Sequence, residues 1–157
     1  MTTRMPEKAQ NVLALVLRLA IGGLFIYSSW DKLQDPAVFA DTVSRYDMLP
    51  GRVLGFFAAV MPAAEFVAGA FLAFTPWRRE AATAVCVLLA MFLIALVQAL
   101  ARGLDISCGC FGVDESDTGA RGLVKAIVRD IALFAPALWL ALRPYAPRNR
   151  DEEEDGE

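Results

Sequence analysis

Apolar positions in this chain come in unbroken runs, not in stripes. Four runs, approximately Val12 to Trp30, Val53 to Thr75, Ala81 to Ala101 and Leu123 to Leu142, each reach the length of about 20 residues that a hydrocarbon core of roughly 30 Å requires of a helix. A soluble amphipathic helix would show polar residues every three or four positions, and Leu13 to Leu17 and Phe66 to Ala73 contain none. The third run, AATAVCVLLAMFLIALVQALA, has no charge at all. The pattern predicts an all-α polytopic membrane protein, a bundle of four transmembrane helices.

Between the first two runs, Asp35-Pro36 reads as an N-cap followed by a proline at the first helical position. Val38, Phe39, Val43 and Tyr46 then fall largely on one face. That spacing predicts a short amphipathic helix on the outer membrane surface. Its simplest role is to shorten the distance between spans; a cover over the loop after the third span is the other. The first run is not read as a signal peptide, because it is too long, contains Arg18, and meets Trp30-Asp31-Lys32 without a small-x-small cleavage site.

Composition agrees with the bilayer reading: 57% hydrophobic and 21% charged residues, with mean hydropathy +0.45, exceed what a soluble domain of 157 residues needs. Six of the 18 acids lie in Asp151 to Glu157, so the body carries 15 basic residues against 12 acids. We expect one membrane domain over residues 1–146 and a disordered acidic tail over 147–157. Arg4, Lys8, Arg78, Arg79, Arg143, Arg148 and Arg150 gather at one end of the spans. Lys32, Arg45, Arg52, Arg102 and Arg121, mixed with more acids, lie at the other. The bias puts both termini in the cytoplasm and loops 31–52 and 102–122 outside an inner or plasma membrane.

In the second of those loops stand Cys108-Gly109-Cys110 and Phe111-Gly112. Two thiols separated by a glycine can open and close as a strained disulfide, and an outer-face location lets disulfides persist. Cys86 lies about 24 Å of helix from that end, beyond the roughly 7 Å reach of a disulfide, and reads as a small buried apolar residue.

Charges within the spans each cost roughly 2.5 to 3.5 kcal/mol at the bilayer centre and need partners. Arg18 and Glu65 both come near mid-depth, so an Arg18–Glu65 ion pair is the simplest expectation. Lys125 and Arg129 share a helix face, with Asp130 turned about 100° away. Lys125 can snorkel outward. Arg129 could stabilise a nearby thiolate or, with Tyr27, hold the polar head of a quinone. Small residues at Gly51, Gly55, Ala59, Ala63, Ala64 and Ala68 predict close helix packing, and Pro62 a kink.

The chain has no histidine. Haem ligation by histidine, most catalytic zinc sites and Ser-His or Cys-His triads therefore have no candidate. No nucleotide-binding glycine motif precedes a helix, nothing points to nucleic acid, and no metal-ligand set is assigned. A dithiol that takes Cu(I) and a purely structural disulfide stay open beside the redox reading.

Arg18 within RLAIGGLFIYSSWDKL, Lys32 at its end, Pro62 and Glu65 in the second run, CGCFG after the third, and Arg129-Asp130 in the fourth follow a recognisable order. In that order the chain resembles the DoxX-like superfamily and, within it, the MauE family of methylamine utilisation proteins, over roughly residues 10 to 142. The resemblance implies an inner-membrane protein linked to maturation of the disulfide-rich light subunit of methylamine dehydrogenase. More distant relatives are linked to thiosulfate:quinone oxidoreductases. It makes Cys108 and Cys110 the redox pair, with Arg18, Lys32, Glu65, Arg129 and Asp130 as supporting polar residues. Quinone is then a candidate cofactor. Four-helix disulfide-generating proteins that reduce quinone use two cysteine pairs or a CxxC, whereas this chain has one CxC. The expected function is a thiol-disulfide oxidoreductase that needs a separate extracytoplasmic thiol protein as partner. A non-enzymatic subunit with a structural CxC clip and a Cu(I)-delivery protein are the alternatives.

Overall fold

A computed structural model describes residues 7–104 and 119–143. The Cys108-Gly109-Cys110 segment and the acidic tail lie outside the described residues. Among the described residues there are five helices and no strand: α1 Glu7–Gln34, α2 Pro36–Ser44, α3 Gly51–Phe74, α4 Arg78–Ala101 and α5 Ala120–Leu142.

Local sequence sets these limits. At the start of α2 the Asp35 carboxylate accepts from the Val38 N–H at 3.2 Å, and Pro36 occupies the first turn, where its missing N–H costs nothing. At the end of α4, Gly103 takes φ 64°. That left-handed residue lets Leu104 N–H reach the Ala99 carbonyl and Gly103 N–H the Leu100 carbonyl, both at 3.1 Å. The pattern is a Schellman turn. Leu104 completes it by packing on the cluster of Leu96, Ala99, Leu123 and Ala126.

Helix α1 runs past the end of its apolar sequence run, and this extension decides much of the interior. Its buried positions Arg18, Ile21, Phe25, Ser28, Ser29 and Lys32 recur at helical spacing and form one face. That face packs antiparallel on α3. Helix α4 packs antiparallel on α5, the pairs join through α3 with α4 and α1 with α5, and α2 lies against α3. Phe39 of α2 is buried with Ala58 and Met61, while Val38 stays exposed.

The backbones of α1 and α3 come closest at Gly22 and Gly69. A Cβ on Gly22 would stand 2.7 Å from the Gly69 carbonyl oxygen, and one on Gly69 would stand 2.8 Å from the Phe25 Cβ. The small-residue line expected from Gly51 and Gly55 is therefore corrected. A Cβ at either meets nothing within 4 Å, and Ala59 and Ala63 are exposed. The contact face is rotated to Ala58, Met61, Pro62, Glu65, Ala68, Gly69 and Leu72, because the buried Glu65 must face the bundle.

Outward positions are apolar: Phe56, Phe74, Val87, Ile94, Val128 and Leu142 are all more than 60% exposed. Helices α1, α3 and α4 are long and apolar enough to cross a membrane. Helix α5 has the length at 23 residues, but Arg121, Lys125, Arg129 and Asp130 set it apart from those three. At one end of the bundle Arg143 donates to the Gln10 carbonyl and the Asn11 side chain, each at 3.0 Å. At the other, Arg102 donates to the Tyr46 carbonyl at 3.0 Å and pairs with Asp47 at 3.1 Å.

The Gly22–Gly69 crossing yields a direct test. Gly69→Val should lower stability by about 1–3 kcal/mol, because α1 must shift to admit the side chain. Gly55→Ala, facing open space, should fall within about 0.5 kcal/mol of wild type or above it. Unfolding of both variants in detergent micelles measures the contrast.

Candidate functional site: a buried ionic cluster

Glu65, 1% exposed, lies about 21 Å along α3 from its start. Lys32, 6% exposed, reaches it from α1 and donates to Oε1 at 3.1 Å and Oε2 at 2.8 Å. The Phe39 and Phe92 rings flank the ammonium, with centroids 5.3 and 5.2 Å from Nζ. Phe92 comes from α4, so three helices besides α1 define this point, with α2 supplying Phe39. An ion pair held this far from water is maintained by geometry and by the high cost of removing one partner alone.

The expected Arg18–Glu65 pair does not form. Antiparallel packing places Arg18 beside the far end of α3, where its guanidinium donates to the carbonyls of Leu72 at 2.9 Å, Ala73 at 3.5 Å and Thr75 at 2.9 Å. The last four carbonyls of a helix lack intrahelical partners, and a cation there also meets the negative end of the helix dipole. Arg18 is thus satisfied by backbone. Lys32, about 21 Å further along α1, takes the carboxylate. Depth counted from the apolar run misplaced it, because α1 continues to Gln34 and carries Lys32 inside the bundle.

From α5, Arg129 folds back on its neighbour. Its Nε and one terminal nitrogen donate to Asp130 Oδ1 at 3.0 and 2.8 Å. Asp130 is 3% exposed, and its Oδ2 has no hydrogen-bond partner among the described residues. Between the two pairs lies a cavity of about 20 Å³ lined by Ser28, Lys32, Glu65, Arg129 and Asp130 with Phe25, Leu89, Phe92 and Leu133. That volume suits one water molecule. Two cations and two anions balance around it. Lys125 and Tyr27 are exposed, and neither lines this cavity.

A second, larger cavity of about 230 Å³ adjoins Lys32 on the other side, under α2. Its walls are Phe39, Thr42, Val43, Tyr46, Met48, Leu49, Phe57 and Met61, closed by Met91, Phe92, Ile94, Ala95 and Leu96 of α4. Sequence reasoning missed Phe92 and Ser28. Neither is marked within its run, and only the approach of α4 and α1 to the pair reveals them.

The cluster gathers four of the five polar residues expected at the site: Lys32, Glu65, Arg129 and Asp130. Arg18 stands apart. Cys108 and Cys110 lie outside the described residues, and the chain leaves them at Leu104 and Gly119. Cys86 is a free thiol in the apolar core beside Val85 and Leu89.

An apolar exterior around a charged, largely solvent-free interior defines a small helical membrane protein with a polar heart. The chain belongs to the methylamine utilisation protein MauE family, whose model matches residues 10–143. No curated protein and no solved structure matches the chain.

Lys32→Met leaves Glu65 buried without its cation and should cost about 3–5 kcal/mol. Adding Glu65→Leu should recover most of that loss. Arg18→Leu and Glu65→Leu should instead combine additively, within about 0.5 kcal/mol. A double-mutant cycle on unfolding free energies in micelles distinguishes the two pairings.

Proposed function

We propose that this MauE-family protein is a thiol-disulfide redox protein of the inner or plasma membrane, in which Cys108 and Cys110 form a working disulfide on the outer face. The observation that carries the reading is where the dithiol falls in the chain. Residues 108–110 lie within the matched family region, between α4, which supplies Phe92, and α5, which supplies Arg129 and Asp130.

In this reading α5 is the fourth membrane span, since its Asp130 and Arg129 turn toward the interior cluster and Val128 and Ile131 face outward. Both termini are cytoplasmic, from the distribution of Lys and Arg. A thiolate of an extracytoplasmic partner protein attacks the Cys108–Cys110 disulfide and forms a mixed disulfide; the partner's second thiol then resolves it. The partner leaves with one new S–S bond, and Cys108 and Cys110 leave as two thiols. Return to the disulfide releases two electrons and two protons, for which a quinone, when bound, is the acceptor. Lys32, Glu65, Arg129 and Asp130 hold fixed charge inside the bundle next to that acceptor's route.

Thiol trapping in intact cells tests this. A membrane-impermeant maleimide applied to a Cys86→Ala background should label two thiols only after reduction, and Cys108→Ser or Cys110→Ser should each abolish disulfide transfer while the protein still inserts. Labelling without reduction would favour a metal-type dithiol. No labelling until lysis would invert the topology and end the proposal.

A further inference from the structure

We propose that the cavity under α2 binds the ring of a membrane-soluble quinone, with the Lys32 ammonium donating a hydrogen bond to one ring carbonyl. The inference deepens the redox reading, on which its biological role rests, but the binding itself stands on the cavity alone.

Volume is the first argument. A dry apolar cavity of about 150 Å³ accommodates benzene, and this one, at about 230 Å³, has room for a substituted ring. It falls below the roughly 300 Å³ at which pockets for whole drug-sized ligands begin. The head of an amphiphile fits, and its tail must lie outside. Met48, Met91 and Ile94 border the cavity and are themselves exposed on the outer surface of the bundle. A tail leaving between them enters hydrocarbon without crossing a polar surface.

The walls give the second argument. Phe39, Phe57, Phe92 and Tyr46 surround the space, and aromatic faces suit a flat ring. Among the lining residues Lys32 is the one charged side chain. An ammonium has three donors; two of Lys32's reach Glu65. The third has no hydrogen-bond acceptor among the described residues, and the rings that flank Nζ, Phe39 and Phe92, are both walls of the cavity. A buried donor without an acceptor costs about 1–3 kcal/mol, and a carbonyl oxygen in the cavity removes that cost.

The lining and the chain connectivity also favour this side over the one near Tyr27. Tyr27 is 64% exposed and lines neither cavity. Tyr46 lines the cavity, and its carbonyl accepts from Arg102, two residues before the last described position ahead of Cys108.

The test uses the full chain carrying Cys108→Ser and Cys110→Ser in lipid nanodiscs, with decylubiquinone as the probe and isothermal titration as the readout. Expected are saturable binding near one equivalent and affinity at least tenfold above that of decylbenzene, which has a ring and tail but no carbonyl. Ala95→Phe, which fills the cavity from α4 without touching the ion pair, should weaken quinone binding at least tenfold. The paired variant Lys32→Met/Glu65→Leu keeps charge balance and should bring quinone and decylbenzene to equal affinity. Absence of saturable binding, equal affinity of the two probes for the otherwise unchanged protein, or indifference to Ala95→Phe would each overturn the proposal. The cysteines are absent here, so failure of this site and failure of the thiol chemistry are read separately: an oxidised CxC pair in cells with no quinone binding would leave the redox reading intact and move its acceptor elsewhere.

Discussion

A carboxylate that cannot face lipid has to be met from inside, and Glu65 is the residue around which this bundle closes. Its partner arrives on α1, the rings that shield the pair arrive on α2 and α4, and the second charged pair arrives on α5. Removing charges from a hydrocarbon boundary costs far less when they neutralise one another in fixed geometry. The inversion of polarity, with apolar Phe56, Val87 and Val128 outside and Lys32, Glu65 and Asp130 inside, follows from that constraint.

Arg18 and Lys32 show how one helix face can solve two different problems. Both belong to the buried stripe of α1 and are half its length apart. Near one end the guanidinium meets the open carbonyls of α3, a task its fan of donors suits; near the other a compact ammonium fits between two carboxylate oxygens. The Gly22–Gly69 approach between them sets the distance at which both can reach.

Much of this was legible in the sequence. Run length and absence of polar periodicity announced the long helices, and Asp35-Pro36 announced α2 with its cap. The ionisable residues of the spans were conspicuous, and Glu65, Arg129 and Asp130 meet in one cluster with Lys32, while Arg18 and Lys125 stand outside it. Which charge pairs with which was not legible, because pairing depends on where α1 stops and on the offset of an antiparallel packing. Four residues of extra helix moved Lys32 from loop to core. Glycine spacing misled for the same reason: Gly51 and Gly55 carry the motif, but rotation of α3 is fixed by Glu65, so Gly69 makes the contact. Nor could the cavity be read from the chain, since its walls come from four helices and the α2–α3 connection, and no local pattern announces an empty volume.

The Arg102 contact at the end of α4 has a mechanical meaning. Its ion pair with Asp47 is exposed on both sides, and pairs of that kind contribute under about 1 kcal/mol. Asp47 sits in the tight bend after α2 with φ 50°, a conformation non-glycine residues adopt reluctantly. The hinge between α2 and α3 is thus slightly sprung and lightly fastened, and its fastener stands two residues from Leu104, where the chain runs on toward Cys108. The bend that this contact fastens carries Tyr46, Met48 and Leu49, so part of the wall beside Lys32 rests on an interaction made at the surface.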